Sequence, residues 1–238
     1  MVRFRPQMIA VSATAIALAL VILLIVISEG STPPPGSPVV ACIDSTVSTN
    51  GVRTSYRQDV EAVARRAVAD HANVYADACG ANATGMVRWP VHARFSSKLE
   101  GALGREQIER RLEAISGELK SLLRVSPSED GTPFGEMLAV AADQCEQAGG
   151  DCVIYFFTDG EWADGLIKVS DGVTETEKKR YVETYEAQIG DLTGSQVNFI
   201  GVGHGTKMGA IHLGEAEAVA AALVRAAGGE MGSWSIRL

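Results

Sequence analysis

Positive charge is the scarcer sign in this chain: 21 Lys and Arg stand against 29 Asp and Glu, a formal net charge of −8. The first thirty residues carry Arg3, Arg5 and Glu29, so the remainder holds 19 basic and 28 acidic side chains, a net charge of −9. That balance argues against nucleic acid and anionic lipid surfaces as partners, because both are bound through an excess of cations. Histidine is scarce too, and His71, His92 and His212 lack the mutual spacing of metal ligands. The four cysteines do not fall at zinc-site spacings. No Gly-x-x-x-x-Gly-Lys loop is present, no Ser-His-Asp arrangement can be assembled, and no internal repeat is visible. These absences remove the commonest zinc, nucleotide and acyl-transfer chemistries.

What is present begins with one long apolar run. Met8 to Ile27 has no charge, and Ser12 and Thr14 are its only polar members. Twenty residues at about 1.5 Å each span roughly the 30 Å core of a bilayer. Arg3 and Arg5 precede the run and Glu29 follows it, so the positive-inside rule leaves residues 1–7 in the cytoplasm and carries the rest across. A cleaved signal peptide is the competing reading, but its apolar core is usually shorter and no Ala-x-Ala-like site follows. The expected organisation is a membrane anchor over 8–28, a Pro-rich spacer over 29–37, and one extracytoplasmic domain over 38–238.

Within that domain, Val39 to Ile43 is a short β-branched run, the pattern of a central strand in a parallel sheet. Helical spacing of apolar residues follows over Tyr56–Ala72, and weaker strand signals cover Asn73–Ala78 and Gly85–Phe95. Glu106–Leu123 is an amphipathic helix with Ile108, Leu112, Ile115, Leu119 and Leu122 on one face. Thr132 stands at or just before a helix running through Ala142, and Cys152 to Phe157 forms another buried strand. A charged helix over Glu175–Ile189, a strand over Gln196–Gly201, an Ala-rich helix over Glu215–Ala227 and a last strand over Gly232–Leu238 complete the pattern. Strands alternating with helices indicate an α/β domain, a doubly wound, mostly parallel sheet with helices on both faces.

Cys145 and Cys152 flank a tight turn between a helix end and a strand, so a bridge is expected there. Cys42 and Cys79 lie near the ends of the first two strands, and both a second bridge and a pair of buried free thiols fit them.

Polar side chains collect where strands end and helices start: Asp44, Thr46 and Ser48 after the first strand, Thr132 on a loop, Asp159 after the strand of Cys152–Phe157. In open α/β sheets, ligands bind beyond the carboxyl ends of the strands. With these residues in the order Asp-Ser-Thr-Val-Ser, Gly-Thr-Pro-Phe-Gly and Phe-Phe-Thr-Asp-Gly, the chain from Pro38 onward resembles the von Willebrand factor type A domain. The resemblance implies a Rossmann-like fold with a metal-ion-dependent adhesion site, in which Asp44, Thr46, Ser48, Thr132 and Asp159 would hold the ion. Thr46 stands where the family usually has Ser, keeping the hydroxyl and adding a methyl.

Two carboxylates and three hydroxyls suit a hard divalent cation, Mg²⁺ first, with Mn²⁺ or Ca²⁺ as alternatives. The set is near electroneutral around such an ion, leaving it able to attract a carboxylate from outside. The resemblance therefore implies adhesion to a protein partner that presents an Asp or Glu, without enzymatic activity. Two other readings compete. A phosphohydrolase of haloacid dehalogenase type would use Asp44, with Asp159 and Asp164 as magnesium ligands, but Thr46 stands where its proton-shuttling second Asp belongs. Alternatively, the domain is a structural scaffold in a surface or secretion assembly. Trp162 and His204 lie near the same edge; each fits either a partner contact or, respectively, packing beneath the following loop and a solvated loop position.

Overall fold

The computed structural model describes residues 36–79, 91–93, 105–126 and 131–237, all within the unit Pro33–Leu238. The expected cytoplasmic stretch 1–7, the membrane span 8–28 and most of the spacer over 29–37 lie outside them. Among the described residues no helix is long and apolar enough to cross a membrane.

Among the described residues six strands form one sheet: β1 (Val39–Asp44), β2 (Val74–Cys79), β3 (Val91–Ala93), β4 (Val153–Phe157), β5 (Gln196–Ile200) and β6 (Glu230–Ser235). Their order is β3-β2-β1-β4-β5-β6; the five strands other than β3 run parallel, and β3 is antiparallel to β2. The chain therefore reverses its direction of winding between β1 and β4. The crevice at their carboxyl ends is the switch point where open α/β sheets bind ligands.

Among the described residues five helices cover the sheet: α1 (Arg57–Ala69), α2 (Arg105–Leu122), α3 (Phe134–Ala148), α4 (Glu175–Tyr185) and α5 (Ala210–Ala226). Successive strand side chains point to opposite faces, so each β-branched run feeds two cores. Val39, Ala41, Ile43, Tyr155 and Phe157 pack with α1 and α2; Val40, Cys42, Ile154, Phe156 and Phe199 pack with α3, α4 and α5.

Element boundaries depart from expectation where backbone capping intervenes. The first helix ends at Ala69, because His71 adopts a left-handed φ of 54°. The Ala72 N–H then reaches the Ala67 carbonyl at 2.8 Å and the His71 N–H reaches Val68 at 3.3 Å, the paired bonds of a Schellman stop. Helix α4 stops at Tyr185, with Gln188 and Ile189 both donating back to the Tyr185 carbonyl. Helix α5 starts at Ala210, five residues before Glu215, since Glu215 holds its first turn in place. The Glu215 carboxylate meets His212 Nδ1 at 3.1 Å and accepts from the Val173 N–H at 3.1 Å. The last strand begins at Glu230, directly after the turn made by Gly228 at φ 82°. Of the stretch 85–95 read as a strand, the described part is Val91–Ala93.

Both cysteine pairs are bridged. Cys145–Cys152 closes the loop after α3, and Cys42–Cys79 joins the ends of the neighbouring strands β1 and β2.

Candidate functional site

Asp44 is the last residue of β1 and is fully buried. Its Oδ1 accepts from the Thr46 backbone N–H at 3.0 Å and from Thr46 Oγ1 at 2.7 Å, an Asx turn that swings the chain off the strand. Its Oδ2 accepts from Thr158 Oγ1 at 2.8 Å and, at a longer 3.4 Å, from Thr132 Oγ1. Thr46 Oγ1 lies 3.1 Å from Ser48 Oγ and 3.0 Å from Thr132 Oγ1. Four of the five residues singled out by the sequence thus form one hydrogen-bonded cluster.

Secondary bonds hold the loop in that shape. Thr49 Oγ1 reaches the carbonyls of Asp44 and Thr46 at 2.9 and 3.0 Å. Ser45 fastens to the end of β2, donating to the Cys79 carbonyl from its N–H at 2.6 Å and its hydroxyl at 2.9 Å. Thr132 reaches the cluster because Gly131, at φ 108°, lets the chain pass the Ala163 backbone. A Cβ there would stand 2.7 Å from the Ala163 oxygen. The Thr132 carbonyl then accepts from the Ala163 N–H at 3.2 Å.

Asp159 follows β4 and is also fully buried. Its Oδ1 accepts from the Glu161 N–H at 2.9 Å, while its Oδ2 is buried with no hydrogen-bond partner among the described residues. Burial first, and then the Asp44 carboxylate, push Asp159 up to about 7; the nearby Ser48 hydroxyl works the other way. Burial raises Asp44 as well, against hydrogen bonds from Thr46, Thr158 and Thr132. Two buried carboxylates therefore lie close together, and the Asp44 charge raises the cost of ionising Asp159.

Arg53 is a buried cation that interacts electrostatically with Asp44. Its guanidinium is already engaged, Nη1 with the Val125 carbonyl at 2.6 Å and Nη2 with Asn50 Oδ1 at 3.1 Å. Among the described residues no group of three or more His, Cys, Asp or Glu side chains gathers as a metal cluster. The donors present are two carboxylates supplemented by hydroxyls.

Thr158 is the residue that sequence reasoning missed. Ile43 pairs with Phe157 across β1 and β4, so the next residue of each strand, Asp44 and Thr158, must be neighbours. The signal was a polar pair, Thr158-Asp159, at the tip of an apolar strand. Other candidates are engaged elsewhere. Trp162 is buried, with its ring stacked 4.1 Å from Phe134, so it packs the core and offers nothing at the rim. His204 is bound at Nδ1 to Ser55 Oγ at 3.1 Å. Asp164 is occupied by its own turn, accepting from the N–H groups of Leu166 and Ile167 and from the Tyr185 hydroxyl.

No family model matches the chain, and no curated protein matches it. Among solved structures, it is similar to the pilus adhesin SpaC from Lactobacillus rhamnosus GG in its open conformation, at 11% identity and a TM-score of 0.42. The match covers 86% of this chain and 28% of that one, so this chain spans less than a third of the adhesin's length.

Proposed function

We propose that this chain is a membrane-anchored, extracytoplasmic protein-binding domain of the von Willebrand factor type A kind, used for adhesion or assembly through a divalent cation. The observation that carries this reading is the buried, unpartnered Oδ2 of Asp159 beside the buried carboxylate of Asp44. Such a pair is destabilising without a compensating positive charge, and Arg53, the guanidinium that feels Asp44 among the described residues, is already engaged by Val125 and Asn50.

The donors fit a hard ion. Asp44, Thr46, Ser48, Thr132 and Asp159 would hold it, presenting oxygen alone, which suits Mg²⁺ and, less selectively, Mn²⁺ or Ca²⁺. Bound there, the ion supplies a Lewis-acidic position that an Asp or Glu of a partner protein completes. The chain's own residues do the positioning: Thr158 and the Thr46 N–H orient Asp44, and Thr49 and Ser45 fix the loop carrying Thr46 and Ser48. Val47, within that loop, is half exposed and offers an apolar contact next to the charge. Binding is favoured over phosphate hydrolysis because Thr46 stands where a proton-shuttling carboxylate belongs and both Asp164 oxygens are in use. The two disulfides fit an oxidising compartment, and the N-terminal apolar run with Arg3 and Arg5 before it supplies the anchor and its orientation.

The test is calorimetric titration of Mg²⁺, Mn²⁺ and Ca²⁺ into the protein beside Asp44→Ala and Asp159→Ala. Saturable heat that both substitutions abolish, with circular dichroism unchanged, is the expected result. A well-folded protein that takes up none of the three ions overturns the reading.

A further inference from the structure

A recess of about 140 Å³ lies between the start of α1 and the end of α2, lined by Thr54, Arg57, Lys120, Leu123 and Arg124. Three of its five lining residues are cations, in a chain whose net charge is −8. Lys120 shares its ammonium with Glu61 at 3.1 Å. Among the described residues neither Arg57 nor Arg124 makes an ion pair or a side-chain hydrogen bond, although acidic residues are in excess in the sequence; Arg65 and Arg66 of the same helix are both paired. Leu123 is a buried wall, and the Arg53–Val125 bond of 2.6 Å pins the end of α2 to the loop before α1, so the recess is held from both sides.

From this geometry we propose that the recess is a binding site for a tetrahedral oxyanion, phosphate or sulfate. Guanidinium groups present paired N–H donors matched to such oxygens, and the Thr54 hydroxyl and Lys120 ammonium add donors with no fixed direction. Size narrows the ligand class. Drug-sized ligands occupy roughly 300 Å³ or more, so this recess takes a single anionic group, not a nucleotide or an extended chain. A carboxylate, with one charge and two oxygens, satisfies fewer of the donors. The proposal does not depend on a cation at Asp44 and Asp159.

The experiment uses the full chain in a phosphate-free detergent with a chelator present, so that no divalent metal can recruit the anion. Phosphorus NMR linewidths of inorganic phosphate are followed as protein is added, with sulfate and acetate as competitors. The expected result is saturable broadening that sulfate reverses and an equal concentration of acetate does not. Arg57→Gln/Arg124→Gln weakens binding by roughly tenfold or more, as expected for losing charged hydrogen bonds. Both side chains are exposed, so the fold is retained, which circular dichroism checks. Glu61→Gln frees Lys120 and tightens binding, a gain that a damaged fold cannot produce. Absence of broadening, its survival in the double variant, equal competition by acetate, or an equal loss in the remote variant Lys207→Gln overturns the proposal.

Discussion

Replacing Asp159 with Asn keeps the side chain's shape and its bond from the Glu161 N–H, and removes one negative charge from a fully buried position. The consequence for stability follows from linkage. Asp159 rises from an ordinary 3.8 to about 7 in the fold, so between those values the folded chain binds more protons than the unfolded one. Its contribution is fully present below about pH 4 and is lost as pH rises through about 7. Three pK units correspond to a ceiling of about 4 kcal/mol, and relaxation of the crevice lowers this to about 2. The ion-free wild type should therefore lose about that much stability relative to Asp159→Asn between pH 4 and pH 8. Magnesium should return it to the wild type alone. Urea unfolding of residues 33–238 at both pH values, with chelator and then with magnesium, measures all four states. Two results refute the reasoning: parallel pH dependence in the two proteins, or equal stabilisation of both by magnesium.

Three further outcomes are expected. Thr158→Val removes the 2.8 Å bond to Asp44 and the acceptor of the Gly160 N–H; a loss of about 2 kcal/mol in urea unfolding, with weaker metal uptake by calorimetry, is expected. Gly131→Ala places a Cβ against the Ala163 oxygen at a left-handed φ and should cost about 2 kcal/mol while moving Thr132 off the cluster. Gly51→Ala, which meets nothing within 4 Å, is the thermal-melting control and should change little. Replacing Cys42 and Cys79 by Ala releases a separation of 37 residues, against 7 for Cys145 and Cys152. By loop entropy the first pair should cost about 4 kcal/mol and the second about 2.5, measured by denaturant midpoint.

The parallel sheet was legible because its strands are short, β-branched and apolar on both faces, as in Val39–Ile43 and Val153–Phe157, a pattern that no amphipathic helix shares. The site was legible because polarity starts abruptly at Asp44 and at Thr158, the tips of adjacent strands. Thr158 itself escaped, since its role depends on the register between β1 and β4, a pairing separated by more than a hundred residues. The fate of Trp162 escaped for the same reason: only the approach of α3 brings Phe134 against it. Helix ends were misplaced wherever a single backbone angle, such as φ 54° at His71, stops a run whose composition would continue. The orphaned Asp159 oxygen was invisible in sequence, because satisfaction of a buried atom is a property of everything around it.

Ser45 leans with both its N–H and its hydroxyl on the carbonyl of Cys79, and Cys79 is joined to Cys42, two residues before Asp44. The loop that carries Thr46 and Ser48 is thus fastened to β2 twice, once covalently and once through Ser45. A chain kept reduced has only the weaker of the two fastenings. The bridge and the candidate site therefore form one mechanical unit, since Cys42–Cys79 fixes the strand end from which Asp44 and its loop depart.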